Sequence, residues 1–176
     1  MIAENAHRNW KNHWVHFLAF GLGSGAAKKA PGTFGTLAAI PFFIALSFLP
    51  LSAYIAVVIA SFVLGVYLCD RASKDMGVHD HGGIVWDEFV GFWITMLPIP
   101  FIAIGGDLSI TQSAFYIFLG FVYFRFFDIL KPWPIKWLDQ KVHGGFGIMI
   151  DDVLAGLFAF AWLQVSIAYL TPVLFN

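Results

Sequence analysis

Five carboxylates of this 176-residue chain stand beside hydrophobic stretches in a pattern that could hold a cation. "GGIVWDEFVGFW" sets Asp87 and Glu88 side by side, "FRFFDILKPWP" sets Asp128 between Arg125 and Lys131, and "GIMIDDVLAG" sets Asp151 and Asp152 side by side. One acid at such a place needs no special role, because a carboxylate near a helix N-terminus gains about 0.3–1 kcal/mol from the helix dipole. Adjacent pairs are different: neighbours in sequence point in different directions, and one cap needs only one acceptor. Drawn together, the five would repel one another unless a cation lay among them. Oxygen donors without a cysteine cluster suit a hard ion, so Mg2+ is the expected cofactor, with Asp87, Glu88, Asp128, Asp151 and Asp152 as its candidate ligands; Mn2+ suits the same donors. His79, His81 and His143 lie in the same loops and offer a mixed-ligand alternative, although a loop histidine is as readily a solvated surface group.

A phosphate is the natural companion of such an ion. Lys131 follows Asp128 by three residues and shares its face if the helix continues that far, and Arg125 precedes Asp128 by three. Each could equally be a membrane-surface cation in a local ion pair. Glycine-rich pieces lie nearby: "GSGAAKKAPGTFGT" (Gly23 to Thr36), "DHGGIVWDE" (Asp80 to Glu88) and "HGGFG" (His143 to Gly147). Backbone N–H groups in glycine-rich turns and at helix starts approach anions closely. Lys29, Thr33, Thr36, Arg125, Lys131, Gly144 and Gly145 are therefore candidates for substrate binding. None of these pieces has the spacing of a P-loop or of a dinucleotide fingerprint.

The elements that must carry these residues are made for lipid. Hydrophobic residues are 59% of the chain and charged ones only 12%, against about 25% charged in an ordinary soluble domain. The net charge of −1 gives no argument for a nucleic-acid partner. Cys69 stands alone, which excludes a disulfide framework, a Cys/His zinc site and a redox pair within this chain. Apolar stretches run over 34–50, 52–69, 89–104, 112–127 and 152–175, most of them shorter than the ~20 residues a spanning helix needs. Pro41 and Pro50 suggest a kinked or re-entrant first stretch, and Pro98 and Pro100 should break the third near its end. The expected fold is an all-α, polytopic membrane bundle of about five hydrophobic helices.

Orientation follows from the basic residues. If the five stretches cross alternately, all ten Lys and Arg fall on one face, which makes that face cytoplasmic, with the N-terminus inside and the C-terminus outside. Apart from Asp107, the acids fall on the same face. The first thirty residues lack the continuous apolar core of a cleavable signal peptide, and residues 1–25 read as a cytoplasmic or membrane-surface segment ahead of a single membrane domain, 26–176. The short spans and many aromatics permit homo-oligomers without requiring them.

Four blocks in order, "APGTFGTLAAIP" (Ala30 to Pro41), "IVWDEFVGFW" (Ile84 to Trp93), "RFFDILKPWPI" (Arg125 to Ile135) and "GGFGIMIDDVLAG" (Gly144 to Gly156), closely resemble the phosphatidylglycerophosphatase A family. They span nearly the whole chain beyond residue 25. The resemblance implies an all-α, Mg2+-dependent lipid phosphatase of the bacterial inner membrane, which removes the terminal phosphate of phosphatidylglycerophosphate during glycerophospholipid synthesis. It implies catalytic roles for Asp87, Glu88, Asp128, Lys131, Asp151 and Asp152. The chain has no cysteine nucleophile with a following Arg loop and no Asp-x-Asp pair, and it lacks the spaced acids of a CDP-alcohol phosphotransferase. The reading from another class is a divalent-cation transporter or channel, which would favour acids deep within its spans and at both ends of a path.

Overall fold

The computed structural model describes residues 14–78, 81–103 and 108–175, with the backbone alone described for 101–103. Asp107 and His79 lie outside the described residues. All regular structure among the described residues is helical: α1 (Trp14–Ala19), a 3-10 segment (Gly21–Ala26), α2 (Pro31–Leu46), α3 (Leu51–Met76), α4 (Trp86–Thr95), α5 (Pro98–Ala103), α6 (Ile110–Leu130), α7 (Ile135–Lys141) and α8 (Gly144–Leu174).

Local chemistry sets most of these boundaries. Pro31 opens α2 at its first position, where a missing N–H costs nothing. Pro50 precedes α3, and Gly77 ends it in the left-handed conformation (φ 67°), with its N–H donated to the Lys74 carbonyl. A reciprocal capping box between Ser109 and Gln112 starts α6.

Three helices, α3, α6 and α8, are long and apolar enough to cross a membrane. The expected five stretches are present, but two are short. The 16 residues of α2 reach about 24 Å at 1.5 Å per residue, and the third stretch divides at Met96–Leu97 into α4 and α5, ahead of Pro98. Pro41, expected to kink the first stretch, lies within a continuous α2.

The core is organised around α8, which packs most extensively on α4, α3 and α6. Glu88 to Thr95 of α4 are all buried, so this short helix is enclosed on every side. Hydrogen bonds tie it to its neighbours: Trp93 Nε1 donates to the Ala39 carbonyl at 3.1 Å, and Tyr54 Oη donates to the Trp93 carbonyl at 2.6 Å. Tyr116 with Thr171 (2.6 Å) and Tyr123 with Ser166 (2.9 Å) join α6 to α8. Such interhelical bonds contribute about 0.6–2 kcal/mol each in a membrane setting. Residues 14–26 belong to the same core, through buried Val15, Ala19 and Phe20 and through a 3.0 Å contact between His16 and Asp75.

Candidate active site

The acids are brought together by close backbone contact between α4 and α8. A Cβ added at Gly156 would lie 2.5 Å from the Gly91 carbonyl oxygen, and one at Gly91 would lie 2.7 Å from the carbonyl oxygen of Asp152. Only glycine permits this approach. Replacing Gly156 with Val is expected to force the helices apart, destabilise the protein by about 1–3 kcal/mol and lower its melting temperature in detergent; an unchanged melting temperature would contradict this account of the packing.

Because α4 and α8 meet so closely, one ligand oxygen from each of Asp87, Glu88 and Asp152 lies within 4.8 Å of the other two. Asp87 and Glu88 occupy the first turn of α4, where the sequence puts them. Asp151 and Asp152 correct the expectation of a helix entry, since α8 begins at Gly144 and holds them two turns inside. The helix is apolar on both sides of the two aspartates, and Gly145, Gly147, Ile148 and Met149 of its first turns are buried.

The other two acids have cationic partners. Arg125 Nη1 lies 2.6 Å from Asp128 Oδ2 and 3.5 Å from Glu88 Oε1, linking the end of α6 to the start of α4. The condition for Lys131 to share the face of Asp128, a helix that continues that far, is not met. The helix ends at Leu130, and Lys131 turns into the left-handed conformation (φ 42°). Its Nζ donates to Asp151 Oδ2 at 2.5 Å and to Asp139 Oδ1 at 3.0 Å. Burial alone would lower the pKa of Lys131, but the Asp151 and Asp139 carboxylates outweigh it and hold that pKa above the ordinary lysine value. Asp139 escaped sequence reasoning, because two prolines separate it from Lys131 and no helical spacing connects the two.

All five acids belong to one electrostatic unit, since Asp128, Asp87, Asp151 and Glu88 each act on Asp152. Asp151 and Asp152 are 6% and 3% exposed, and among the described residues Asp151 Oδ1 and Asp152 Oδ2 have no hydrogen-bond partner. An unpaired buried carboxylate costs several kcal/mol. Buried, unpartnered oxygens facing other carboxylates fit a divalent cation, and an all-oxygen donor set favours a hard one.

The remaining candidates divide. Gly32, in the first turn of α2, stands against the Glu88–Arg125 pair: a Cβ there would lie 3.0 Å from Arg125 Nη1. The neighbouring Thr33 is half-buried, and the first N–H groups of a helix lack intrahelical acceptors. Lys29 is exposed, whereas Thr36 is fully buried and donates its hydroxyl to the Gly32 carbonyl at 3.0 Å. Gly144 and Gly145 meet α3, where the Gly145 N–H reaches Asp70 Oδ1 at 3.4 Å. His81 and His143 stand outside the group of three acids; His81 Nδ1 accepts the Gly83 N–H at 3.0 Å, and exposed His143 occupies the position just before α8.

Comparison with known proteins places the chain in a family. The sequence model of the family described as phosphatidylglycerophosphatase A matches residues 17–167. Phosphatidylglycerophosphatase A of Escherichia coli is 52% identical over 146 residues, covering 83% of this chain and 78% of that protein. The protein of the same name from Haemophilus influenzae is 49% identical over 146 residues, covering 82% of this chain and 83% of that one. No solved structure matches the chain. A family match over residues 17–167, with named relatives about 50% identical, identifies the chain as a phosphatase enzyme and a member of the phosphatidylglycerophosphatase A family.

Proposed function

We infer that the protein hydrolyses phosphatidylglycerophosphate to phosphatidylglycerol and inorganic phosphate, using Mg2+ held by Asp87, Glu88 and Asp152 and flanked by Asp128 and Asp151. The observation that carries this reading is the convergence of three carboxylates within 4.8 Å, beside the Arg125 and Lys131 cations, in a chain about 50% identical to two proteins named phosphatidylglycerophosphatase A. The one-sided distribution of Lys and Arg supports a site facing the cytoplasm of a bacterial inner membrane, where phospholipid precursors are made. There a lipid phosphate enters sideways while its acyl chains stay in the bilayer. Residues 26–176 form the catalytic membrane domain in this reading, and residues 1–25 are a cytoplasmic or membrane-surface segment whose residues 14–25 pack into the core of that domain.

Phosphate-monoester hydrolysis is among the slowest uncatalysed reactions, so neutralising charge on the phosphoryl oxygens is the main task. Bound Mg2+ supplies Lewis-acid polarisation and lowers the pKa of water. The protein's own groups do the rest. Lys131 presents its ammonium to the phosphoryl oxygens as charge develops, and Arg125 keeps Asp128 and Glu88 oriented from the end of α6. The first turn of α2 offers backbone N–H groups to the same anion, with Thr33 and Lys29 at its edge. Water is the nucleophile in this reading, and acid quenching during turnover of radiolabelled substrate is expected to leave no phosphate on the protein. Labelled protein would assign a carboxylate as nucleophile instead.

Incubation of the purified protein with phosphatidylglycerophosphate in detergent micelles, with products identified by mass, tests the reaction. Phosphatidylglycerol and inorganic phosphate are expected in equal amounts. The acids gather towards one end of the long helices, which disfavours a conduction path, so protein in liposomes is expected to give no divalent-cation flux. Flux without phosphate release would favour the transporter reading.

A further inference from the structure

An ammonium group has three N–H donors. Among the described residues, two of those on Lys131 are taken by Asp139 and Asp151, which leaves one. The two acceptors belong to different elements, α7 and α8, so they fix the head group from two directions although the four-carbon stem is flexible. The short helix α7 gives Asp139 a firm base: Ile135 at its start is fully buried, and the helix packs against α8. Asp139 itself stands outside the group formed by Asp87, Glu88 and Asp152, and its side chain is 38% exposed. With Asp151 as its remaining partner, the Lys131 head group would follow that side chain or turn towards water, since Lys131 is itself a quarter exposed.

We propose that Asp139 is a positioning residue of the phosphatase site, holding the Lys131 ammonium against Asp151 so that its third N–H is directed at the phosphoryl oxygens of the lipid. The assignment rests on the lipid phosphatase reading. A cation needed as charge develops in the transition state affects kcat more than KM when it is misplaced. Asp139→Ala is therefore expected to lower kcat by about 10²-fold, with KM little changed and the melting temperature in detergent close to that of the parent protein. Asp139→Glu keeps a carboxylate on a longer stem and should recover a large part of the lost kcat. Asp139→Asn keeps an acceptor of the same shape without the charge and should fall between the two; it carries the comparison if the alanine variant does not fold. A normal kcat in Asp139→Ala, a raised KM at unchanged kcat, or a glutamate variant no better than the alanine one would overturn the assignment. A parent protein that releases no phosphate would overturn the phosphatase reading and this assignment with it, whereas an active parent beside an unaffected alanine variant would overturn the assignment alone.

Discussion

Asp152→Asn is expected to lower phosphate release by on the order of 10³-fold or more, because Lewis-acid stabilisation of several kcal/mol is lost and each 1.36 kcal/mol is a factor of ten. The same substitution should leave the metal-free protein at least as stable as its parent. Asp152 is buried, its Oδ2 has no hydrogen-bond partner among the described residues, and four other carboxylates act on it. An amide removes that repulsion while keeping the shape. Saturating Mg2+ should then raise the melting temperature of the parent, since a ligand that binds only the folded state stabilises it, and should do so much less for the variant. A residue kept for packing would behave in the opposite way, losing stability and activity together. Thermal melting in detergent, with and without Mg2+, separates the two.

Lys131→Met carries the second large effect. It keeps most of the stem and removes the ammonium, so kcat should fall by about 10²–10³-fold, the range for loss of one preorganised donor at a developing negative charge. Arginine should not restore it fully, because a planar guanidinium cannot reproduce a compact charge seated between Asp139 and Asp151. In contrast with Asp152→Asn, the methionine variant should also be less stable, since it leaves the buried Asp151 carboxylate without its counter-charge. That loss should stay below the 3–5 kcal/mol typical of breaking a fully buried pair, because Lys131 is partly exposed. A variant with normal kcat would remove Lys131 from the mechanism.

The contrast between these residues marks what the sequence could reveal. The acids, Arg125 and Lys131 were legible because charge is rare in an apolar chain and costly beside lipid. The helices were legible for the same reason, but their ends were not. The start of α8 at Gly144 is hidden because its first turns pack against α3 and α7, so the two aspartates seemed to stand at an entrance when they lie inside the helix. The route of Lys131 depended on a left-handed turn ahead of two prolines, a tertiary choice that helical spacing cannot foresee. Which three acids face one another was equally hidden, since it follows from the contact between Gly91 and Gly156 on helices far apart in sequence. Thr36 looked available for a phosphate, but its hydroxyl is bonded within α2.

In the proposed mechanism, hydrolysis of the lipid phosphate depends on a divalent cation held by Asp87, Glu88 and Asp152. The most direct test of that dependence is phosphate release from phosphatidylglycerophosphate, followed as Mg2+ is titrated into the chelator-treated parent protein and into Asp152→Asn side by side. The expected result is a saturable rise in the parent, abolished by excess chelator, and almost no release from the variant at any Mg2+ concentration. Full release in excess chelator, or a variant that follows the parent's titration curve, would contradict it.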